Sequence, residues 1–279
     1  MPNTWFITGS SRGFGREIAV AALERGNQVV ATARNPDHLQ DLKEIRSGAL
    51  LALTLDVTDP TATKRAIDSA ISHFGALDVV VNNAGYADSA PIEEMSDESF
   101  RRQIETNLFG VVNVTKAALP YLHQQRSGHF LQFSSIGGRV GGTPGMGAYQ
   151  TAKFAVEGFS EVLNAEVKPL GIKVTIVEPG GFRTDWGGSS MYKAAVGADY
   201  DETVGAVNRF RESTVATWRG DPRRAANIIV DVVDLEEPPL RLLLGAGAVE
   251  SAERSSRERA AEADKWAEIS RSADFPEGE

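Results

Sequence analysis

Cysteine is absent from all 279 residues. Its absence excludes disulfides, thiolate nucleophiles and a disulfide-stapled secreted domain. Histidine is scarce as well. His38, His73, His123 and His129 are scattered without metal-ligand spacing, so no metal is expected. No apolar run approaches the ~20 residues that span a bilayer. The N-terminus, Met1-Pro2-Asn3-Thr4-Trp5, lacks the basic-then-apolar pattern of a signal peptide. The sequence therefore predicts a cytoplasmic protein without membrane association. Positive charge is in deficit: 29 Lys and Arg against 38 Asp and Glu give a formal net charge of −9. Such a surface repels phosphate backbones and anionic lipids, which argues against nucleic acid as a partner.

What is present is ordinary globular material, 42% hydrophobic and 24% charged, enough at this length for one substantial core. Short apolar runs at 4–8, 28–33, 50–55, 78–81, 129–134, 173–177 and 240–244 read as strands. They alternate little, as strands covered on both faces do. Amphipathic stretches at 13–25, 36–46, 60–74, 97–125, 149–169 and 221–235 read as the helices between them. Strand–helix alternation with no linker and no internal repeat predicts an α/β protein: a Rossmann-type, doubly wound parallel sheet in a three-layer α/β/α domain. The predicted domain covers 1–249. Two regions depart from the pattern. Segment 181–220 has no clear strand but carries Phe182, Trp186, Tyr192, Tyr200, Phe210 and Trp218. Residues 250–279 read as a polar helical extension with Trp266 and Ile269 as apolar anchors, docking on its own subunit or on a partner.

The first strand runs into Thr8-Gly9-Ser10-Ser11-Arg12-Gly13-Phe14-Gly15, and a helix follows. Glycines there let the backbone turn tightly and approach a pyrophosphate, while the helix start offers unpaired N–H groups and a positive dipole end. The spacing is T-G-x-x-x-G-x-G rather than the commoner G-x-G-x-x-G. At the end of strand two, an NAD-binding chain places an acidic residue for the ribose hydroxyls; this one has Ala33 and Arg34. A carboxylate would repel a 2′-phosphate, whereas arginine can hold one through two parallel hydrogen bonds. Taken alone, Arg34 reads equally well as a solvated surface residue; the missing acid beside it favours NADP. Arg12 can reach the same phosphate. Asp56-Val57 at the end of strand three is a candidate edge for adenine. The small residues of Asn83-Ala84-Gly85 at the end of strand four suit close contact with the cofactor.

Tyr149 and Lys153, four apart, share one helix face. A free tyrosine titrates near ~10, and a neighbouring ammonium favours the phenolate, making Tyr149 a usable general acid or base. By itself Y-x-x-x-K is common by chance. Here Ser134-Ser135 ends strand five, where a hydroxyl can hold a substrate oxygen beside Tyr149. Asn107 puts an amide inside an apolar helical stretch, where it needs a partner. It either distorts the helix and holds a water that connects with Lys153, or is a satisfied core amide.

Together these residues resemble the compact, single-domain branch of the short-chain dehydrogenase/reductase family. The resemblance covers roughly residues 4–245 and rests on Thr8-Gly9…Gly13-x-Gly15, Asn82-Asn83-Ala84-Gly85, Asn107, Ser135, Tyr149-x-x-x-Lys153 and Pro179-Gly180. It implies that Ser135, Tyr149 and Lys153 are the catalytic three, with Asn107 as a fourth. Ser135 is preferred to Ser134 because the second serine matches the family position. The Ser135–Tyr149 gap is about one residue long for the family, and the glycine-rich stretch 137–147 can absorb it. Pro179, Gly180 and Thr184 would contact the nicotinamide end. The implied activity is NADP-dependent hydride transfer between nicotinamide and a carbonyl/secondary alcohol pair, with a small-molecule substrate. The implied assembly is a homodimer or homotetramer built on the helices 97–125 and 149–169. Segment 181–220 would be the substrate cover, expected to move. Its aromatics favour an apolar or ring-bearing substrate, though packing of an ordinary cover explains them equally. A non-catalytic NADP-binding regulator on the same fold is the alternative function; the family's longer epimerase branch is a poorer match, because its larger C-terminal domain has no room here.

Overall fold

The computed structural model describes residues 2–187 and 191–275. Parts of two sequence expectations, residues 188–190 of the cover and 276–279 of the extension, lie outside the described residues.

Strand β1 (Thr4–Ile7) leads into helix α1 (Gly13–Glu24). β2 (Gln28–Ala33), β3 (Leu50–Thr54), α2 (Pro60–Phe74) and β4 (Val79–Asn82) follow. Asp59 caps α2 by accepting from the N–H groups of Thr61 and Ala62, and left-handed Gly75 ends it. After the two-residue β5 (Asp88–Ser89) come α3 (Asp97–Ile104), a π-helical turn (Glu105–Phe109) and α4 (Gly110–Gln125). Next are β6 (Gly128–Phe133), the short α5 (Ile136–Arg139), α6 (Gly147–Val167) and β7 (Ile172–Pro179). The chain then forms β8 (Tyr192–Lys193), α7 (Ala206–Thr214), α8 (Pro222–Val233), β9 (Arg241–Leu244) and α9 (Ala246–Arg271).

Seven strands form one parallel sheet in the order β3-β2-β1-β4-β6-β7-β9, and β5 pairs with β8 apart from it. Alternate residues feed opposite faces of the sheet. Trp5, Ile7, Val29, Ala31, Val79 and Val81 pack with Ile18 and Ala22 of α1 and Ile229 of α8. Phe6, Val30, Val80 and Phe130 pack on the other face with Ile67 of α2, Val114 of α4 and Leu163 of α6. Both faces are therefore covered, which accounts for the unbroken apolar runs. The strand order reverses direction between β1 and β4, and the crevice outside the carboxyl ends of the strands at such a point is where α/β folds bind ligands.

Three local readings are corrected. Residues 36–46 form a 3₁₀ helix (Pro36–Glu44), not an α-helix; the buried side chains Leu39 and Leu42 are three apart, the repeat of a 3₁₀ turn. The stretch 97–125 is not one continuous helix, because the π-turn interrupts it at Asn107. The polar extension is the outer part of α9, which starts at Ala246, directly after β9. Ala248 and Ala252 of α9 are buried, and Arg259 donates to the Arg139 carbonyl, but Trp266 and Ile269 are 49% and 65% exposed among the described residues. Among the described residues no helix is long and apolar enough to cross a membrane.

Candidate active site

A cleft of ≈ 850 Å³ runs across the carboxyl ends of the strands. At its floor the turn after β1 is built around glycines. Gly9 and Gly13 have φ of 69° and 56°, a region that disfavours any residue with a Cβ. Thr8 ties this turn to the end of β4: its Oγ1 accepts from the N–H groups of Asn83 and Ala84, both at 3.0 Å, and donates to the Val81 carbonyl at 3.2 Å. In return, Asn83 Nδ2 donates to the carbonyls of Thr8 (2.9 Å) and Gly9 (3.2 Å). Gly15 sits one helical step behind. A Cβ there would stand 2.4 Å from the Gly9 oxygen and 2.5 Å from Asn83 Nδ2. Alone among the expected cofactor residues, Gly15 does not line the cleft; it lets α1 seat against the turn.

The residues at this end fit a dinucleotide. The start of α1 has no side-chain cap, so its first N–H groups face the glycine cradle unpaired by a cap. Ser11, Arg12, Gly13 and Phe14 line the cleft beside them. Arg34 ends the wall formed by β2, and both it and Arg12 are exposed at the rim. Asp56 also lines the wall, its Oδ1 occupied by the N–H and hydroxyl of Thr58 at 3.0 and 2.8 Å. Val57 is buried beneath Gly110, where a Cβ would meet the valine at 2.6 Å.

At the other end, the first turn of α6 carries Tyr149 and the next turn Lys153, both buried. Lys153 Nζ donates to the Phe133 carbonyl at 2.6 Å and stands 5.8 Å from the centre of the Tyr149 ring. Burial brings the ammonium down to about 8, against the pull of Glu157. Burial pushes the Tyr149 phenol up to about 12, while the nearby Ser135 hydroxyl and the charge of Arg211 act in the opposite direction. Ser135 caps α5 by accepting from the Gly137 N–H at 3.0 Å. Its neighbour Ser134 is turned against Gly138, where a Cβ would approach its Oγ to 2.3 Å; both serines line the cleft with Tyr149.

Asn107 lies in the π-turn with its amide fully engaged. Oδ1 accepts from the Tyr86 N–H at 3.0 Å, and Nδ2 donates to the carbonyls of Tyr86 (2.8 Å) and Gln103 (2.9 Å). Gly85 fits under it only without a side chain, because a Cβ would stand 2.5 Å from Asn107 Oδ1 and 3.7 Å from Lys153 Nζ. Pro179 and Gly180 end β7 in the cleft, with the Gly180 N–H donating to the Leu244 carbonyl at 3.0 Å. Thr184 lies across from Gly13, so the start of the cover meets the glycine turn.

Of the six cover aromatics, Phe182, Trp186, Tyr192 and Trp218 line the cleft. Trp186 packs on Tyr149 with ring centres 5.1 Å apart. Tyr200 instead bonds Glu93, and Phe210 is 67% exposed. Sequence reasoning missed Tyr86, Asp88 and Arg102, which line the wall facing this cover; Arg102 Nε donates to the Tyr86 hydroxyl at 3.3 Å. Tyr86 directly follows the Asn-Asn-Ala-Gly run, a signal that could have flagged it. Arg102 sits on a polar helix and offers none.

The family model for the short chain dehydrogenases matches residues 3–193. An oxidoreductase of Botryotinia fuckeliana, BOA17, is 48% identical over 97% of this chain and 98% of its own. Among solved structures, a short-chain dehydrogenase from Streptomyces avermitilis is 38% identical with a TM-score of 0.92, covering 99% of this chain and 100% of that one. An alcohol dehydrogenase from Thermococcus sibiricus, complexed with 5-hydroxy-NADP, is 26% identical with a TM-score of 0.72, over 88% and 96% of the two chains. The chain belongs to the short-chain dehydrogenase family.

Proposed function

We propose that this chain uses NADPH to reduce the carbonyl of a ketone or aldehyde with an apolar or ring-bearing body. One observation carries the reading: Ser135, Tyr149 and Lys153 meet at the aromatic-lined end of the same cleft whose other end holds the glycine turn, Arg12 and Arg34. The dinucleotide would lie on Gly9, Ser11, Gly13, Phe14, Asn83, Ala84 and Gly85, its 2′-phosphate against Arg34 and Arg12, adenine along Asp56 and Val57, and nicotinamide against Pro179, Gly180 and Thr184. When bound, it supplies the hydride that reduces the carbonyl carbon. Tyr149 gives its phenolic proton to the carbonyl oxygen as that oxygen gains the electron pair of the C=O π bond. Ser135, which lines the cleft beside Tyr149, holds the same oxygen. Lys153, with its ammonium near about 8, is mostly protonated at neutral pH, favours departure of the proton and reaches the ribose. Asn107 holds the π-turn beside Lys153, and a proton from solvent water, passed along water held near Lys153, restores Tyr149. Alcohol oxidation reverses each transfer.

The aromatic wall of Phe182, Trp186, Tyr192 and Trp218 favours a substrate body without charge. The outward side chains Phe109, Phe154 and Val162 leave apolar surface on the π-turn and α6, in keeping with a homodimer or homotetramer built through α4 and α6. Replacing Tyr149 by Phe tests the chemistry. NADPH binding should remain nearly intact and carbonyl reduction should fall by about 10²–10⁴-fold, the usual worth of a general acid. A variant that keeps a tenth of wild-type kcat would show that another group donates the proton.

A further inference from the structure

A second cation lies one side chain away from the tyrosine, across Met191, delivered from the cover. Arg211 lies on α7 and is only 7% exposed. Among the described residues it has no carboxylate partner; its one polar contact is from Nη1 to the sulfur of Met191, at 3.3 Å. Met191 packs with Ala87, Met146, Tyr149 and Trp186 in one small cluster. The helix that carries Arg211 is pinned nearby: one turn earlier, the side chain of Asn208 accepts from Ser89 Oγ at 2.8 Å. Val204, just before α7, packs so closely on Gly145 that a Cβ there would approach it to 2.8 Å. A guanidinium taken out of water without an anion is costly, so its placement calls for a group whose negative form it stabilises. The ionisable group in that cluster is the Tyr149 phenol, and the two attract through space.

The groups facing Tyr149 leave Arg211 a distinct role. From α6 comes Lys153, tied to the Phe133 carbonyl and brought down to about 8 by burial, so its charge fades in alkaline solution. From the β6–α5 junction comes the neutral hydroxyl of Ser135. Ala87, Met146, Met191 and Trp186 are uncharged. Arginine keeps its proton throughout this range. We propose that Arg211 is a positioning residue for Tyr149: its buried guanidinium, brought by the cover helix, is the persistent charge that favours the phenolate and so sets the strength of the acid.

The proposal rests on the reading of Tyr149 as the acid, yet its test needs no substrate. The full chain, labelled with ¹³C at tyrosine Cζ and saturated with NADP⁺, is titrated by NMR, with Tyr149→Phe identifying the resonance. Arg211→Met keeps an unbranched apolar stem against Met191 but removes the charge; Arg211→Lys restores the charge. The midpoint in Arg211→Met should rise by about one unit or more, and in Arg211→Lys should stay within about half a unit of wild type. If Arg211→Met fails to melt cooperatively, Arg211→Gln takes its place. An unchanged midpoint in the neutral variant, or an equal rise in the neutral and lysine variants, overturns the proposal, the second because it would trace the effect to packing. Loss of the Tyr149 proton is read here whether or not that proton reaches a substrate. Failure of the acid assignment would instead show as turnover in Tyr149→Phe.

Discussion

The two ends of the cleft are held by different kinds of contact. At the dinucleotide end the partners are backbone: Thr8 and Asn83 lock the glycine turn to β4 through main-chain N–H and carbonyl groups, and Gly9, Gly15 and Gly85 sit where a Cβ has no room. Over the substrate end, the cover carries an unbroken run of helical turns from Ala198 to Thr217 but is joined to the domain by few main-chain contacts. It is attached by a two-residue strand pair, one bridge between Phe182 and Gly220, and side-chain contacts such as Asn208 with Ser89. A site fixed by main chain tolerates few substitutions and suits a cofactor that never changes. A site fixed by side chains can be altered residue by residue, which suits the choice of substrate.

Three measurements would break or sharpen that contrast. Arg34→Asp should have the largest effect. A hydrogen bond to a charged group is worth about 1.5–3 kcal/mol, or roughly tenfold to a hundredfold in preference. The ratio of kcat/KM for NADPH over NADH should fall by at least that factor, since the new carboxylate also repels the phosphate. A preference that survives the change would move the role to Arg12. Next, Gly15→Ala should cost about 1–3 kcal/mol, the usual range for overpacking, although the residue does not line the cleft. Phe210→Ala, on the exposed side of the cover, should stay within about 0.5 kcal/mol. Equal melting temperatures for the two variants would contradict the difference drawn between the two ends. The smallest effect is expected in amide exchange. Protection within 181–220 should rise when NADPH and a ketone are added, while the strand ends stay protected throughout. No change across the cover would mean that it does not gate the cleft.

The same contrast explains what could be read from the residues. The glycine turn, the strands and Tyr149 with Lys153 were legible because each depends on local rules: a backbone region open to glycine, runs buried on both faces, and a spacing of four on one helix. Asn107 was legible as a misfit, since an amide in an apolar helix face must find partners, and it finds them by opening a π-turn. The 3₁₀ character of Pro36–Glu44 was hidden because Leu39 and Leu42 also fit an α-helical stripe. Arg102 and Arg211 were invisible for a different reason. Both lie on polar helices, and only the folding of distant segments turns one towards Tyr86 and buries the other beside Met191. His129 is similar: it looked like any scattered histidine but is buried against Thr175 and pushed down to about 3, too deep in the sheet for chemistry.

The most direct test of the central claim is steady-state consumption of NADPH, with NADH in parallel, against a panel of apolar aliphatic and aromatic ketones and aldehydes. Consumption that depends on the carbonyl and is faster with NADPH than with NADH is the expected result. NADPH that binds tightly yet is consumed with no member of the panel, and NADP⁺ that is reduced by none of the matching alcohols, would contradict it and point to a regulator that reads the cofactor without using it.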